Sequence, residues 1–317
     1  MNEVKDMATR QNRNQPTKKK LRKGRTIFTI IIVIILAIAG LGFYQYKSSL
    51  NAAEADNNMK EFEFNGQKAE DVNDLNVLLI GSDSRGKDQG RSDSLLIAHY
   101  DTKSKSPKLV SIMRDTYVDI PGYGLNKINA AYSFGGPELV RQTIKENFGV
   151  NIEYYVVANF EGFPKIVDTL APNGIEIDAE KDMSKNIEAN IKAGKQKMDG
   201  ETLLQYARFR HDAESDFGRV RRQQQVLNAL KDQAQSIGTI TKLPSLIGTM
   251  QGYTNTNVTT GMMISIGKDF VLGNAKDMAD FRLPVDGTYK NVRNSHGSVL
   301  DIDVAANAKA LQDFLKD

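Results

Sequence analysis

The sequence predicts an α/β fold, a mixed central β-sheet flanked by helices in an α/β/α sandwich, preceded by one transmembrane helix. Three observations predict it. Short apolar runs that stop at Gly or polar turns alternate with segments of helical spacing. A charge-free stretch follows a dense basic cluster near the N-terminus. The 317 residues include no Cys, so neither disulfides nor Cys-ligated zinc can hold the fold, and a hydrophobic content of 40% must close it by core packing.

The N-terminal segment is read first. Residues 1–25 carry nine Lys or Arg and two acids, a charge of +7, and the whole chain is +3, so the remainder is −4. The basic balance thus belongs to a tail. Residues 26–46 contain no charged side chain, and a helix of that length spans about 31 Å, the thickness of a bilayer's hydrocarbon core. Lys18, Lys19, Lys20, Arg22, Lys23 and Arg25 stand just before it, which puts the N-terminus in the cytoplasm. Tyr44 and Tyr46 fall where an outer interfacial belt would lie. A cleaved signal peptide is the alternative. The apolar run is longer than a signal h-region, and the small-residue site Ala53-Glu54-Ala55 lies well beyond its end, so the lengths favour an uncleaved signal-anchor. The expected organisation is a basic cytoplasmic tail (1–25), a transmembrane helix (26–46), a polar extracellular stalk (47–72) and one extracellular folded domain (73–317). That makes a single-pass type II protein of the cell membrane with its C-terminal domain outside.

Within the folded domain, 75–80 (LNVLLI) is a buried-strand run ending at Gly81, and 95–100 and 109–113 repeat the pattern. Residues 137–148 have helical spacing through Leu139, Val140, Ile144 and Phe148, with Gly149 as the stop. Strands are expected at 154–158, 175–177 and 280–283. Helices are expected at 163–170, 200–208, 219–237, 243–250, 262–272 and 304–315. The apolar residues of 243–272, including Met250, Met262 and Met263, suit ordinary core, or the flexible lining of a long apolar pocket.

Charged residues concentrate at strand ends. Gly81-Ser82-Asp83-Ser84-Arg85 follows the first strand and Arg91-Ser92-Asp93-Ser94 precedes the second. Open α/β sheets place ligands at such edges, and carboxylates are the ligands Mg²⁺ prefers. Either acid alone also reads as an ordinary turn residue. Arg114-Asp115 ends the third strand, with Lys127 and Asn129 following, and a structural ion pair is the equal alternative there. The densest group is Tyr206-Ala207-Arg208-Phe209-Arg210, then Asp216-Phe217-Gly218-Arg219 and Arg222-Gln223. Arg208 and Arg210 share a side if that piece is extended. Arg219, Arg222 and Gln223 share a helix face and are expected in its first turns, where arginine is unfavourable unless an anion is bound. The planar fork of Arg suits phosphate. The bland alternative is a solvated charged face. The three His residues have no mutual metal-ligand spacing, and no G-x-S-x-G or G-x-x-x-x-G-K-[ST] occurs. The basic tail lacks aromatics and any groove-reading motif, so no specific nucleic-acid partner is expected.

LLIGSDSR, RSDSLL, SIMRDTYVDIPGYGLNKINAAYSFGG and YARFRHDAESDFGRVRRQQ together resemble the LytR-CpsA-Psr family of Gram-positive cell-envelope proteins, especially its staphylococcal members. The resemblance covers roughly 75–235. It implies a phosphotransferase that moves an anionic glycopolymer, of teichoic acid or capsule type, from an undecaprenyl-pyrophosphate carrier onto a peptidoglycan acceptor, with Mg²⁺. It also implies a pocket for the polyprenyl tail. Carried over, Asp83 and Asp93 would hold the metal. Arg91, Arg114, Arg208, Arg210 and Arg219 would act on the pyrophosphate, with Arg85, Arg222, Gln223 and Asp216 as binding residues. Met113 stands where the family often has proline. The other classes are a non-catalytic polyprenyl-pyrophosphate binding protein and a membrane-bound regulator.

Overall fold

The computed structural model describes residues 23–56, 62–68, 71, 73–82, 92–212, 214–235 and 237–317. The chain divides into two units, Met1–Gly42 and Phe43–Asp317. Helix α1 (Lys23–Asp56) contains a segment, Ile30–Ala55, long and apolar enough to cross a membrane by length and composition. Its side chains from Ile30 to Leu41 are exposed.

The second unit is a mixed α/β domain. Strands β1 (Asp74–Ser82), β2 (Ser92–Asp101), β3 (Ser106–Ile112), β6 (Tyr154–Asn159), β9 (Thr254–Thr256) and β10 (Ala279–Leu283) form a sheet in the order β10-β3-β2-β1-β6-β9. The β1–β6 and β10–β3 pairs are parallel and the others antiparallel. A second sheet has the order β11-β12-β4-β5, from β4 (Thr116–Ile120), β5 (Gly124–Lys127), β11 (Tyr289–Asn294) and β12 (Gly297–Ile302). A hairpin of β7 (Ile175–Ala179) and β8 (Gly194–Met198) stands apart from both.

The apolar runs read from the sequence are the central strands. Leu78, Ile80, Leu95, Ile97, Val110 and Ile112 are almost fully buried, packed with Tyr132, Val140, Ile144 and Phe148 of α2 (Ile128–Phe148). At about 25 cal/mol per Å² of apolar surface removed from water, this layer is the main favourable term holding the sheet. Gly149 caps α2 in the left-handed region, φ 74°. Helix α2 begins before the expected 137–148 segment and has non-helical backbone at Gly135 and Gly136, just before Pro137, which cannot donate to a preceding turn. A second core gathers Val167 of α3 (Gly162–Leu170), Ile175, Ile177, Met198, Leu203 and Tyr206 of α4 (Gly200–Arg208), Phe209, and Val226 of α5 (Ser215–Ala234). Helices α6 (Leu243–Tyr253), α7 (Thr260–Val271) and α8 (Val304–Lys316) complete the domain. Among the apolar residues of 243–272, Leu246, Ile247 and Val271 are core, while Ile264 and Leu272 are exposed.

The expected polar stalk over 47–72 differs from the structure. Residues 47–56 continue α1, and Leu50 and Ala53 are buried. Gly248 and Gly252 of α6 allow that helix to approach closely: a Cβ at Gly252 would meet the Ala53 Cβ at 2.3 Å. Further on, Phe62 and Phe64 pack on Tyr155, with ring centroids at 6.3 and 4.8 Å. Alanine and phenylalanine spaced among polar residues read as solvated in sequence, but they supply the contact side of a packed segment.

Candidate active site

Strand directions assemble the site. β1 runs antiparallel to β2, so Gly81 faces Ser94, and β2 runs antiparallel to β3, so Leu95 faces Ile112. The end of β1, the start of β2 and the end of β3 therefore share one sheet edge. Asp93 stands there on β2 and Arg114 just beyond β3. Asp83, Arg85 and Arg91 lie outside the described residues.

Asp93 is shared by two arginines. Arg114 Nη1 donates to its Oδ1 at 2.9 Å, and Arg219 Nη1 lies 3.7 Å from the same oxygen. Asp216 forms a second bridge: its Oδ1 is 2.8 Å from Arg219 Nη2 and 3.5 Å from Arg114 Nε. Arg114 also lies 3.8 Å from Asp115, which accepts from Lys127 Nζ at 2.8 Å. Arg219 is 4% exposed and Asp216 9%. Burial pulls the Arg219 guanidinium below its ordinary pKa against the opposing pull of Asp216. Both Asp216 oxygens and the Nε atoms of Arg114 and Arg219 are buried without an aligned hydrogen-bond partner. Such groups are costly to leave unmet.

A cleft of about 690 Å³ opens beside this network, lined by Asp93, Phe160, Arg208, Arg210, His211, Arg219 and Gln223 among others. Asn186, Ile187 and Glu188 form a further part of its wall. Asp199 caps α4 by accepting from Thr202 N at 2.9 Å. The helix ends at Arg208, and Phe209 adopts extended backbone, φ −60° and ψ 132°. Phe209 is buried, while Arg208 and Arg210 on either side of it are exposed. The Arg208 guanidinium lies 4.2 Å from the Phe160 ring centroid, at the end of β6.

Two readings of the arginine block need correction. Helix α5 starts at Ser215, not Arg219, so Arg219 and Arg222 lie beyond its first turn and Asp216 occupies it. An acid there complements the helix dipole, so no bound anion is needed to explain the helix start. Arg222 is not in the cleft. It is 0% exposed; its Nη1 donates to Asp212 Oδ2 at 3.0 Å, its Nη2 donates to the Phe209 carbonyl, and it lies over the Phe209 ring. Spacing put it on one face with Arg219 and Gln223, but a helix face is wider than a cleft. Burial pushes the Asp212 carboxyl up, yet Lys181 and Arg222 outweigh burial and hold it below its ordinary pKa. Asp212 also accepts from Glu214 N and Ser215 N, so the same acid ties Arg222 and the start of α5.

Sequence reasoning did not single out Phe160, His211 or the wall at 186–188. Asn186 has φ 56°, a left-handed conformation rare outside Gly, and its amide nitrogen lies 2.7 Å from His211 Nε2. Among the described residues no group of three or more His, Asp or Glu side chains is arranged to hold a metal. A Mg²⁺ site does not require one, because Mg²⁺ keeps waters and phosphate oxygens and takes one or two carboxylates. Asp93, partly exposed at the cleft, fits that donor set.

The model of the LytR_cpsA_psr family matches residues 40–312. The chain belongs to the LytR-CpsA-Psr family. Among its LytR-CpsA-Psr relatives, the Regulatory protein MsrR of Staphylococcus aureus (strain COL) is 43% identical over 276 residues, 86% of this chain and 84% of the relative. The polyisoprenyl-teichoic acid--peptidoglycan teichoic acid transferase TagU of Bacillus anthracis (strain CDC 684 / NRRL 3495) is 33% identical over 274 residues, 84% of this chain and 89% of the relative. The solved structure of TagT bound to LI-WTA superposes with a TM-score of 0.63 at 27% identity, covering 82% of this chain and 95% of that one. The α/β sandwich with its mixed sheet is thus the LytR-CpsA-Psr fold.

Proposed function

We propose that this LytR-CpsA-Psr chain is a phosphotransferase that moves an anionic glycopolymer from an undecaprenyl-pyrophosphate carrier onto peptidoglycan. The observation that carries the reading is the pair of acids, Asp93 and Asp216, holding Arg114 and Arg219 beside a cleft that also presents Arg208 and Arg210. The names of TagU and of the TagT complex support the substrate class.

In this reading the acceptor hydroxyl oxygen bonds to the phosphorus that carries the glycopolymer. The bridging phosphoanhydride bond breaks, polyprenyl phosphate leaves with the bridging oxygen, and the hydroxyl proton is lost to a base. Arg208 and Arg210, both exposed in the cleft, bind the incoming phosphates. Arg114 and Arg219 are prepositioned by the acids, so their donors are already oriented where charge develops, the arrangement that contributes most to such transfers. Gln223 adds a neutral donor to the same wall. Arg222 acts through the fold, by fixing Phe209 and the start of α5. Asp93, with Asp83, would hold Mg²⁺, which when bound offsets charge on the phosphates. The chain sits in the cell membrane by α1, with the domain outside.

The test is transfer of a lipid-linked pyrophosphate glycan to peptidoglycan by the purified full chain in detergent. Product should form with Mg²⁺ and fall with EDTA. Tight donor binding without any product, at every Mg²⁺ level, would leave a non-catalytic carrier-binding protein.

A further inference from the structure

The segment 116–134 is not used by the reading above, yet it is rooted in the site. Lys127, at the end of β5, bonds Asp115, and Asn129 N donates to the Arg114 carbonyl at 3.3 Å. The β4–β5 hairpin therefore leaves from and returns to the site arginine. Thr116, Val118 and Ile120 are buried, so Tyr117 and Asp119 point to the other face. Their antiparallel partners are Lys127 and Leu125, which stand beside them on that face.

At the root of this strip the Tyr117 and His296 rings pair at 6.0 Å. At the tip, Tyr123 sits between Gly122 (φ 78°) and Gly124 (φ 71°), left-handed positions that a side chain would strain. Its ring stacks on Phe134 with centroids at 4.5 Å and planes at 15°. Tyr123 is 55% exposed, Phe134 42% and Leu125 57%. Each ring covers one face of the other, which leaves outer ring faces in water. From root to tip is on the order of 15–20 Å along β4 and its turn.

We propose that this strip is the seat of the acceptor glycan: a chain of pyranose units lies along the hairpin, stacking on Tyr123 and Phe134 at the tip and reaching the arginine cleft at the root. The inference rests on the reading of the chain as a transferase to peptidoglycan. Pyranose rings present an apolar, weakly positive C–H face, which suits the negative face of an aromatic ring. Their hydroxyl and amide groups suit the interleaved Asp119 and Lys127. A lipid surface suits the strip less, because inserting the tip would desolvate those polar groups. A protein partner would need a larger contact than a few exposed side chains provide. The length matters: a single sugar at the tip would not reach Arg114, whereas a polymer does.

The experiment is co-sedimentation of the full chain, in detergent, with polymer-stripped peptidoglycan sacculi, alongside vesicles of anionic phospholipid. The Tyr123→Ala/Phe134→Ala double variant should bind sacculi about tenfold more weakly, a loss of about 1.4 kcal/mol. Tyr123→Phe, which keeps the ring, should bind as the parent does, and all variants should melt like it. Unchanged sacculus binding by the double variant overturns the proposal, as does a loss confined to vesicles, which would make the tip a membrane contact. Cleavage of the lipid-linked pyrophosphate by the parent chain is measured separately. A parent that cleaves the donor while its sacculus binding ignores both substitutions sinks this inference alone. A parent that cleaves nothing, but whose sacculus binding needs the two rings, keeps the glycan surface and sinks the transferase reading.

Discussion

Asp93 and Arg222 show opposite uses of a charge in one site region. Asp93 is partly exposed, lines the cleft together with Arg219, and is shared between Arg219 and Arg114. In the proposed transferase it exchanges partners when the pyrophosphate binds. Arg222 has no such freedom, because Asp212, Glu180 and the Phe209 carbonyl surround it. Removing one member of a buried ion pair strands the other, at a cost of about 3–5 kcal/mol. Arg222→Ala should therefore lower the unfolding free energy by that amount in denaturant melts, whereas Arg208→Ala, at an exposed position, should change it by less than about 1 kcal/mol. Equal stability of the two variants would return Arg222 to the list of ligand-binding residues. The arginines were legible in the sequence as residues of one chemistry. Their division into cleft and core was not, since i, i+3, i+4 spacing says which residues are neighbours and not which of them meets solvent.

At the scale of elements, the central strands and most helices are legible because their apolar runs are continuous. The missed strands are of another kind. β11 (YKNVRN) is exposed at four of its six positions, and β4–β5 hides behind Pro121 and the surrounding glycines. β11 is held by pairing with β12, and β4 by pairing with β12 and packing on α2, which local pattern does not record. The central sheet also holds a buried imidazole. His99 on β2 is 3% exposed, with Nδ1 2.9 Å from Asn76 Oδ1. Burial, then Lys108, lower its pKa to about 4 from an ordinary 6.5. Between those values the unfolded chain binds the proton and the folded one does not, so stability rises with pH through the window and is lost as pH falls from about 6.5 toward 4. His99→Gln should flatten that part of an unfolding free-energy profile against pH by about 1–3 kcal/mol. A variant profile parallel to the parent's would show that other groups set the slope.

For the whole molecule, the proposed transferase requires that the cleft work on the outer side of the membrane. Protease added to intact, wall-stripped cells should digest the folded domain within 47–317 and spare the basic tail, and digestion only after lysis would reverse the topology. The most direct measurement is therefore at the site itself, as transfer by the full chain across a Mg²⁺ titration for the parent, Arg219→Lys and Asp93→Asn. Lys keeps the charge and loses the fork, so Arg219→Lys should be slower by roughly 10²–10³ at every Mg²⁺ concentration. Asp93→Asn should be impaired at limiting Mg²⁺ and recover in part as Mg²⁺ is raised. If both variants, folded as the parent is, transfer glycopolymer at the parent's rate at limiting Mg²⁺, then Asp93 and Arg219 do not form one pyrophosphate site.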